Sequence, residues 1–432
     1  MTAVLDIDDT PLRSHPQARL VVALSGGLDS SVLLHALATT PALRAHGLRA
    51  VHVNHGLHDD AGAWSAHCES LCRALGVPLR TVRVDVRNVG NGPEAAARNA
   101  RHAALQADIT SDDVVAFAHH RDDQAETFLL RALRASAPDG LAAMRPWRAF
   151  GRGHLWRPLL ALPRESLRAY ATAHGLDWVD DPSNDDDRFD RNFLRLRVIP
   201  LLRERWPRVD EAFATAARLA AETGDLLADE DVATLARCRI DGDNDLSRNA
   251  LIALDSPRRA RVLRRWIASR DLPPLPANGV ERIVGELLEA PADAQARFDW
   301  HGATVRAWRD RLHASRNIAP LDVEFDMAWD GRTPVELPDG GQLAIERPVP
   351  LPPGTRVRAR QGGERIRLPG RPHRHELKDV LVAAGIPPWV REHLPLVFAD
   401  DEVLAAGDRV IGDRLARILE PHGARIVWTP PI

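Results

Sequence analysis

The sequence predicts an α/β protein: an N-terminal Rossmann-like parallel sheet with helices on both faces, then a mostly helical middle domain and a small α+β C-terminal domain. Three observations support this. Strands and helices alternate four times between residues 20 and about 135, which is typical of a parallel sheet. The 432 residues exceed what one hydrophobic core usually serves. A proline-rich stretch, ERPVPLPPG at 346–354, marks a boundary near the C-terminus.

Four short apolar stretches are the strands of the predicted sheet. They are RLVVAL at 19–24, LRAVHVNHGL at 48–57, LRTVRVDV at 79–86 and DVVAFAHH at 113–120. A helical pattern follows each strand, the first from Ser30 and the third from Pro93, whose fixed φ suits a first helical turn. Ligands of such sheets bind at the carboxyl ends of the strands, and the unusual polar residues of this segment lie there.

The domain boundaries follow from changes in these patterns. We predict a catalytic domain over residues 1–210, a mostly helical domain over 211–345 and a small α+β domain over 346–432. The middle segment is predicted to be helical because SPRRARVLRRWIASR and NGVERIVGELLEA are amphipathic at helical spacing.

The composition is that of an ordinary globular protein, with 44% hydrophobic residues and a net charge of −3. The N-terminus does not resemble a signal peptide and no run of about twenty apolar residues occurs, so we expect a cytoplasmic protein without a membrane span. Three cysteines indicate no disulfide framework. Cys68 and Cys72 lie four apart in a helical pattern, which favours core packing over metal ligation.

A loop of glycine and hydroxyl residues, SGGLDSS at 25–31, joins the first strand to the first helix. The glycines allow a tight turn that leaves backbone N–H groups open to an anion at a helix N-terminus, and the serines add hydroxyl donors. The alternative is an ordinary strand-to-helix turn with a serine cap. The residues predicted to hold phosphate are Ser25, Gly26, Gly27, Leu28, Asp29, Ser30 and Ser31.

Asp29 is the unusual member of this loop, because a carboxylate repels phosphate unless a cation bridges the two. We therefore predict that Asp29 is the metal ligand and shares a Mg²⁺ ion with the bound phosphates. The loop is not a Walker loop, since the lysine of that motif is missing.

The loop resembles that of the PP-loop ATP pyrophosphatase superfamily, which cuts ATP to AMP and pyrophosphate. Further motifs, in order along the chain, resemble the tRNA(Ile)-lysidine synthetase family within it. They are VHVNHGL at 51–57, GPEAAARNARHAAL at 92–105, HHRDDQAET at 119–127, DDPSNDDDRFDRNFLRLRVIPLL at 180–202 and the tail from RARQGGERIRLPG at 358–370 onward.

This resemblance implies an ATP- and Mg²⁺-dependent ligase that forms a C–N bond. The C2 oxygen of the wobble cytidine of a tRNA-Ile with a CAU anticodon attacks the α-phosphate of ATP, and pyrophosphate leaves. The ε-amine of free L-lysine then displaces AMP to give lysidine. No obligate protein partner is implied. A single-stranded anticodon base suits a pocket that must reach the edge of the ring.

The segment HHRDDQAET clusters carboxylates at the start of a helix. Asp122 as a helix cap, with acids complementing the helix dipole, is one interpretation. The other, which the resemblance favours, is that Asp123 and Glu126 bind the ammonium group of lysine. His119 or His120 then assists proton transfer or contacts adenosine, and His119 is the catalytic candidate, although a histidine at a strand end is often structural.

Other candidates lie on neighbouring elements. Glu94, Arg98 and Arg101 follow one side of the third helix, and Arg98 is predicted to stabilise charge on the α-phosphate, with a solvated surface helix as the alternative. The resemblance places Asn54 and His55, at the end of the second strand, among the ATP-binding residues.

Two arginine-rich stretches are predicted to contact tRNA phosphates. Residues 188–208 hold seven arginines against two acids, and residues 355–375 hold seven against one. The first stretch is predicted to place Arg188, Arg191 and Arg195 on one helix face, with Asn192 beside them. The acidic loop at 180–187 is a local charge partner or a further metal or lysine contact.

One departure from the family pattern follows the fourth helix, where Ala132 and Ala135 stand in place of glycines and Gly140 is retained. Because alanine disfavours positive φ, we expect this loop to differ in shape. A tRNA thiolase is a rival interpretation, but the chain has neither a C-x-x-C pair nor a third nearby cysteine. A glutamine-dependent amidotransferase would need a nucleophilic cysteine near the N-terminus or in a domain of its own, and the sequence shows none. The complete loop with Asp29 and the intact cluster at 119–127 disfavour a non-catalytic tRNA-binding protein.

Overall fold

The structure is a computed structural model that describes residues 4–56, 60–84, 93–240, 244–276, 278–292 and 294–431, with the backbone alone for 93–95. Leu57, Asp85 and Val86 of the predicted strands and the side chain of Glu94 therefore lie outside what is described. The chain forms two compact units, Met1–Asp229 and Glu230–Ile432. The three predicted domain boundaries stay a prediction.

Unit 1 alternates strands and helices along its length. Its elements are α1 (Thr10–Arg13), β1 (Arg19–Ala23), α2 (Leu28–Thr39), α3 (Pro41–Arg44), β2 (Arg49–Asn54), α4 (Ala61–Leu75), β3 (Leu79–Arg83), α5 (Pro93–Asp108), β4 (Asp113–Ala116), α6 (Arg121–Leu133), α7 (Pro138–Leu141), β5 (Trp147–Phe150), β6 (Gly153–Trp156), α8 (Arg164–Ala173), a 3-10 turn (Pro182–Asp185), α9 (Asp190–Phe193), a π-helical turn (Leu194–Val198), α10 (Ile199–Arg205) and α11 (Val209–Leu226).

The sheet of unit 1 has the order β3-β2-β1-β4-β6-β5. Strands β3, β2, β1, β4 and β6 pair in parallel, with Val22 of β1 opposite both Ala50 and Ala116, and β5 is antiparallel to β6. The chain winds outward in opposite directions from β1 and β4. The loops after these two strands therefore face the same crevice, where doubly wound sheets bind ligands.

The central strand β1 is buried on both faces. Leu20 and Val22 pack into one core beneath α2 and α8, while Val21 packs with Val115 and Phe150 on the other side. Burial of alternate residues in two cores explains why this strand is an uninterrupted apolar run. The predicted parallel sheet, covered on both faces, is confirmed.

The end of α6 forms a closed helix cap in spite of its alanines. The N–H of Ser136 donates to the carbonyl of Arg131 and the N–H of Ala135 donates to that of Ala132, each at 3.0 Å. Ala135 takes φ +50°, the left-handed conformation that glycine prefers at this position. The two hydrogen bonds thus hold Ala135 in a conformation that alanine disfavours, and the predicted difference in shape from the family's loop stays a prediction.

Ala135→Gly is therefore expected to raise the free energy of unfolding, by up to about 1 kcal/mol, since relief of the left-handed strain outweighs the added chain entropy. Ala132→Gly, three residues earlier and inside α6, is expected to lower it by about 1 kcal/mol. Urea unfolding of both variants measures the difference. A change of the same sign in the free energy of unfolding for both variants would contradict backbone strain at Ala135.

Unit 2 begins within α12 and contains short strands among helices. Its elements are α12 (Ala228–Cys238), β7 (Leu246–Ser247), α13 (Arg248–Ile252), α14 (Ser256–Ser269), α15 (Gly279–Arg282), a π-helical turn (Ile283–Leu288), β8 (Arg297–Trp300), β9 (Ala303–Trp308), β10 (Arg311–Arg316), β11 (Asp326–Ala328), β12 (Val335–Glu336), β13 (Gln342–Ile345), β14 (Arg356–Arg358), β15 (Arg365–Arg367), β16 (Arg374–Glu376), α16 (Leu377–Ala383), α17 (Pro388–Arg391), β17 (Leu396–Ala399), β18 (Glu402–Ala406), β19 (Val410–Ile411), α18 (Asp413–Leu419), a 3-10 turn (Glu420–His422) and β20 (Ile426–Thr429).

Helices α12 to α15 pack against an antiparallel sheet of order β7-β10-β9-β8, with Trp266 and Leu312 in the shared core. The predicted helical character of this segment is found in α12 to α15, whereas strands β7 to β10 were not predicted. The C-terminal part has a sheet of order β11-β14-β17-β18-β15-β16, with β19 beside β18, and a smaller sheet β12-β13-β20. No helix in the described ranges combines the length and apolar character needed to cross a membrane.

Candidate active site

The loop between β1 and α2 is held in shape by its own serines. The hydroxyl of Ser30 accepts the N–H of Ser25 at 3.2 Å and lies 2.9 Å from the hydroxyl of Ser25. It donates to the carbonyl of Gly27 at 3.1 Å, and the hydroxyl of Ser31 donates to that of Gly26 at 3.4 Å. Leu28 is buried in the core, so only its backbone faces the loop. These contacts pre-shape an anion site at the N-terminus of α2.

Gly26 is the position in this loop that requires glycine. Its φ is +87°, and a Cβ atom would lie 3.0 Å from Sγ of Cys68. Its carbonyl also accepts the N–H of Val179, which fastens the loop to the segment after α8. Gly27 has an ordinary φ of −75° and room for a Cβ atom at 3.6 Å from its neighbours.

Gly26→Ala is expected to lower the free energy of unfolding by about 2–4 kcal/mol, from left-handed strain together with overpacking against Cys68. Gly27→Ala is the control and is expected to change it by less than about 1 kcal/mol. Urea unfolding without nucleotide measures both. A loss at Gly27 as large as that at Gly26 would show that the positive φ is not the cause.

His120 joins the loop to the carboxylates of α6. It is 2% exposed and occupies the N-cap position of α6. Its Nε2 lies 3.6 Å from Oδ2 of Asp29 and 3.4 Å from Oδ2 of Asp123, and its Nδ1 lies 3.6 Å from Oδ2 of Asp122. Burial alone would lower the pKa of His120, but these three carboxylates outweigh it and raise the pKa to about 10. The imidazole is therefore charged at neutral pH, with the hydrogen of Nδ1 directed at Asp122, and in that form it cannot accept the N–H of Asp123 that lies 3.4 Å from Nδ1.

Asp122 does not cap α6, contrary to one interpretation of the sequence, because His120 holds that position. Its side chain instead accepts the N–H of Arg164 at 2.9 Å and pairs with Arg203 of α10 at 2.8 Å. Although burial opposes it, the hydrogen bonds from His120 and Arg164 hold the pKa of Asp122 well below its usual range. Asp122 is thus a fixed anion that ties α6 to α8 and α10.

Two arginines from the segment after the acidic loop contact Asp123 and Glu126. Arg191 places Nε at 2.6 Å from Oε2 of Glu126 and its terminal nitrogen at 2.8 Å from Oδ1 of Asp123. Arg195 places Nε at 2.6 Å from Oε1 of Glu126. The side chain of Glu126 is 1% exposed. Burial alone would raise the pKa of Asp123, but the charges of His120 and Arg191 lower it far below its usual range.

Arg188 does not share this face, so the predicted single stripe is wrong for that residue. It precedes α9, is largely exposed and pairs with Asp186 at 2.6 Å. Asn192 donates to the carbonyls of Ser183 and Asp186 at 2.9 and 3.0 Å. Asp186 and Asp187 of the acidic loop thus pair with arginines of the following segment, and the alternative of a metal or lysine contact stays a prediction.

His119 is hydrogen-bonded to Arg157. Its Nδ1 accepts a hydrogen bond from Nε of Arg157 at 3.1 Å, and its ring stacks on Phe117. Burial, with Arg157 and other cations, lowers the pKa of His119 to about 3 against the opposing charge of Asp123. His119 is thus neutral, with its proton on Nε2. Arg98 contributes to the positive field here, since its charge lowers the pKa of both His119 and Arg157.

Asn54 and His55 lie at the end of β2, as predicted, but both side chains contact protein groups. Asn54 donates to the carbonyl of Ala61 and to Ser65 at 3.1 and 3.0 Å. Arg101 donates to Nε2 of His55 at 3.4 Å. Burial, followed by the charge of Arg101, lowers the pKa of His55 to about 4, so this ring is neutral.

The buried cysteines behave as core residues, as predicted. Cys68 and Cys72 are free thiols in the core beneath α2. Burial raises the pKa of Cys68 to about 12 and that of Cys72 to about 11. Thiols that stay protonated are poor nucleophiles and poor metal ligands.

Asp29 is the residue of the loop that fits a divalent cation. Its Oδ1 is buried and accepts no hydrogen bond from the described residues, with Nε of Arg164 3.7 Å away. Within the described ranges no group of three histidine, cysteine or acidic side chains is placed to hold a metal. A single carboxylate oxygen that accepts no hydrogen bond suits Mg²⁺, which usually binds one or two carboxylates together with substrate phosphates.

Several residues of the site were not predicted from the sequence. Arg157 and Arg164 each contact a predicted site residue, yet neither stands in a motif that singles it out. Arg203 belongs to the arginine-rich stretch 188–208, but its pair with Asp122 was not predicted. His120 had a signal, since it directly precedes a run of helix-favouring residues at a strand end. That position marks an N-cap, and it separates the roles of the two adjacent histidines.

A serine- and glycine-lined loop with one carboxylate, after the first strand of a parallel sheet, defines an ATP-using enzyme of the PP-loop class. Residues 6–202 match the family model of the PP-loop domain. Residues 246–313 match that of the TilS substrate binding domain, and residues 355–428 match the TilS substrate C-terminal domain.

Two curated relatives match this chain along almost its whole length. The tRNA(Ile)-lysidine synthase of Xanthomonas axonopodis pv. citri is 51% identical over 97% of this chain and 96% of its own, and that of Methylococcus capsulatus is 38% identical over 99% and 100%. The chain belongs to the tRNA(Ile)-lysidine synthase family. This confirms the predicted family and fold class. A solved U34-tRNA thiolase from Methanococcus maripaludis is more distant, with 18% identity, a TM-score of 0.39 and coverage of 47% of this chain and 72% of its own.

Proposed function

We propose that this protein uses ATP to join free L-lysine to C2 of the wobble cytidine of a tRNA-Ile with a CAU anticodon, through an adenylated cytidine, and releases AMP and pyrophosphate. Membership of the family supports this ligase reaction. The observation that carries it is the position of His120, whose Nε2 lies 3.6 Å from Asp29 and 3.4 Å from Asp123. One imidazole thus joins the phosphate loop to the carboxylates proposed for lysine.

The phosphate loop would bind the β,γ-phosphates of ATP, and Asp29 would hold the Mg²⁺ ion. When bound, that ion neutralises phosphate charge and polarises the phosphoryl oxygens. Arg98 and Arg157 add positive charge beside the ends of β4 and β6, where a negatively charged reaction centre would be stabilised. His119 would donate from Nε2 and would not act as a base, since its pKa of about 3 leaves it a very weak one.

The lysine ammonium would bind Asp123 and Glu126. Both carboxylates lie in the first turns of α6, and the lowered pKa of Asp123 keeps it ionised. An amine must lose a proton before it attacks, and a site that binds it next to the cationic His120 also favours its neutral form.

The tRNA would contact basic surfaces in both units. Arg188, Arg191, Asn192 and Arg195 are the candidates in unit 1. In unit 2, Arg365, Arg367 and Arg374 are exposed on the paired strands β15 and β16. Contacts of this kind bind the phosphate backbone without reading sequence. The cytoplasm is the expected compartment for this work, and no obligate protein partner is proposed.

The test is a product assay with the full chain, unmodified tRNA-Ile, ATP, Mg²⁺ and labelled lysine. Wild type is expected to transfer label to tRNA, and Asp29→Asn is expected to lose about 10²–10³ in rate. Asp225→Asn, which alters an exposed pair with Arg145, is the control and should keep full activity. ATP cleavage without lysine transfer would overturn the choice of nucleophile, and no tRNA-dependent cleavage would overturn the ligase.

A further inference from the structure

The carboxylates proposed for lysine are fully occupied by groups of the protein itself. Glu126 receives Arg191 on one oxygen and Arg195 on the other, both at 2.6 Å. Asp123 receives Arg191 on Oδ1 at 2.8 Å and the N–H of His120 on Oδ2 at 3.0 Å. All four carboxylate oxygens thus accept hydrogen bonds in this state.

The charges of the paired groups lead to the same conclusion. The guanidinium groups of Arg191 and Arg195 already pair with the carboxylates of Asp123 and Glu126, and the side chain of Glu126 is 1% exposed. A lysine ammonium added to these groups would be a third cation on two carboxylates, and its repulsion by the guanidinium groups would not be screened as it is in water. An ammonium can bind well only when a guanidinium leaves.

The arginines can leave more readily than the other groups. His120 and both carboxylates belong to α6, whose first turns are buried, whereas the side chains of Arg191 and Arg195 are 21% and 26% exposed. They extend from α9 and from the π-helical turn that continues it into α10. π-helical turns within helices are frequent at functional sites. Rotation of the arginine side chains toward solvent opens the subsite without moving α6.

We propose that Arg191 and Arg195 close the lysine subsite of the resting enzyme, and that tRNA phosphates open it by binding the released guanidinium groups. The inference rests on the proposed function, which assigns lysine to these carboxylates. Arginine pairs with phosphate through two parallel hydrogen bonds, as it does with a carboxylate, so the exchange preserves its hydrogen bonding. Lysine would then bind after tRNA, when an acceptor is present.

The test is equilibrium dialysis of labelled lysine against the full chain, without ATP, in the presence and absence of unmodified tRNA-Ile. Arg191→Gln and Arg195→Gln are expected to bind lysine about ten-fold more tightly than wild type when tRNA is absent. Adding tRNA is expected to tighten lysine binding to wild type by a similar factor and to change the two variants much less.

Arg134→Gln is the control, because Arg134 lies outside the two arginine-rich stretches and makes an exposed pair with Asp190 of α9 at 3.1 Å. It should bind lysine as wild type does in both conditions. Circular dichroism checks that each variant folds. If only one of the two arginine variants folds, its lysine binding alone tests the proposal. Weaker or unchanged lysine binding in the arginine variants would overturn the gate. Absence of lysine binding to every protein, with and without tRNA, would instead overturn the lysine subsite on which the gate rests.

Discussion

Glu126→Gln is expected to lower the free energy of unfolding by about 3 kcal/mol. The carboxylate is 1% exposed and accepts Nε of both Arg191 and Arg195 at 2.6 Å. Removing one partner of a buried ion pair leaves the other charge desolvated and uncompensated. In the Gln variant the neutral amide pairs with no charge, so the partly buried guanidinium groups of Arg191 and Arg195 keep only the carboxylate of Asp123.

Urea unfolding of the full chain, monitored by circular dichroism, measures this loss. Glu222→Gln is the control, because Glu222 pairs with Arg218 one turn away on the surface of α11, and exposed pairs of this kind contribute at most about 0.5 kcal/mol. A loss at Glu126 no greater than that at Glu222 would mean that the arginines are solvated and do not depend on the carboxylate.

His120→Gln is expected to change how stability depends on pH. The folded protein raises the pKa of His120 to about 10, above its value of about 6.5 in the unfolded chain. The stabilisation from the charged imidazole is therefore complete below about pH 6.5 and is lost as pH rises toward 10. Over that range the wild-type free energy of unfolding should fall by a few kcal/mol more than that of the variant.

The measurement is urea unfolding of both proteins at intervals between pH 6 and 10. The difference between the two profiles isolates the imidazole, because Arg157, whose pKa burial and neighbouring arginines lower to about 9, is common to both. Its opposite contribution therefore cancels in the comparison. Parallel profiles would show that His120 is neutral and that its nitrogens only cap α6.

The sheet and the loop of unit 1 were predictable because their signals are local. A strand buried on both faces is an apolar run, and a loop that must turn tightly at a helix N-terminus shows glycine and serine. Two of the four strands of the middle segment, β7 and β9, gave no such local signal. Strand β7 has two residues, and β9 has five of its six residues buried, so neither shows the alternation by which an isolated strand is recognised.

The residue types of the site were also local, but their partners were not. The sequence marks Asp123 and Glu126 as a cluster of acids, and Arg191 and Arg195 as part of a basic stretch. That these groups neutralise each other is decided by a fold that joins positions 65 to 72 residues apart. Sequence spacing predicts which side chains share one helix face, and it is silent about contacts between elements.

By itself, then, the sequence determined the class of the fold, the phosphate loop with its carboxylate, and the family. Each of these depends on residue order within one short segment or on similarity along the chain. The tertiary structure alone decided which histidine meets Asp29, that Ala135 keeps a left-handed backbone, and that arginines occupy the carboxylates proposed for lysine. These are matters of distance and burial, and a pKa or an ion pair exists only once distant segments are brought together.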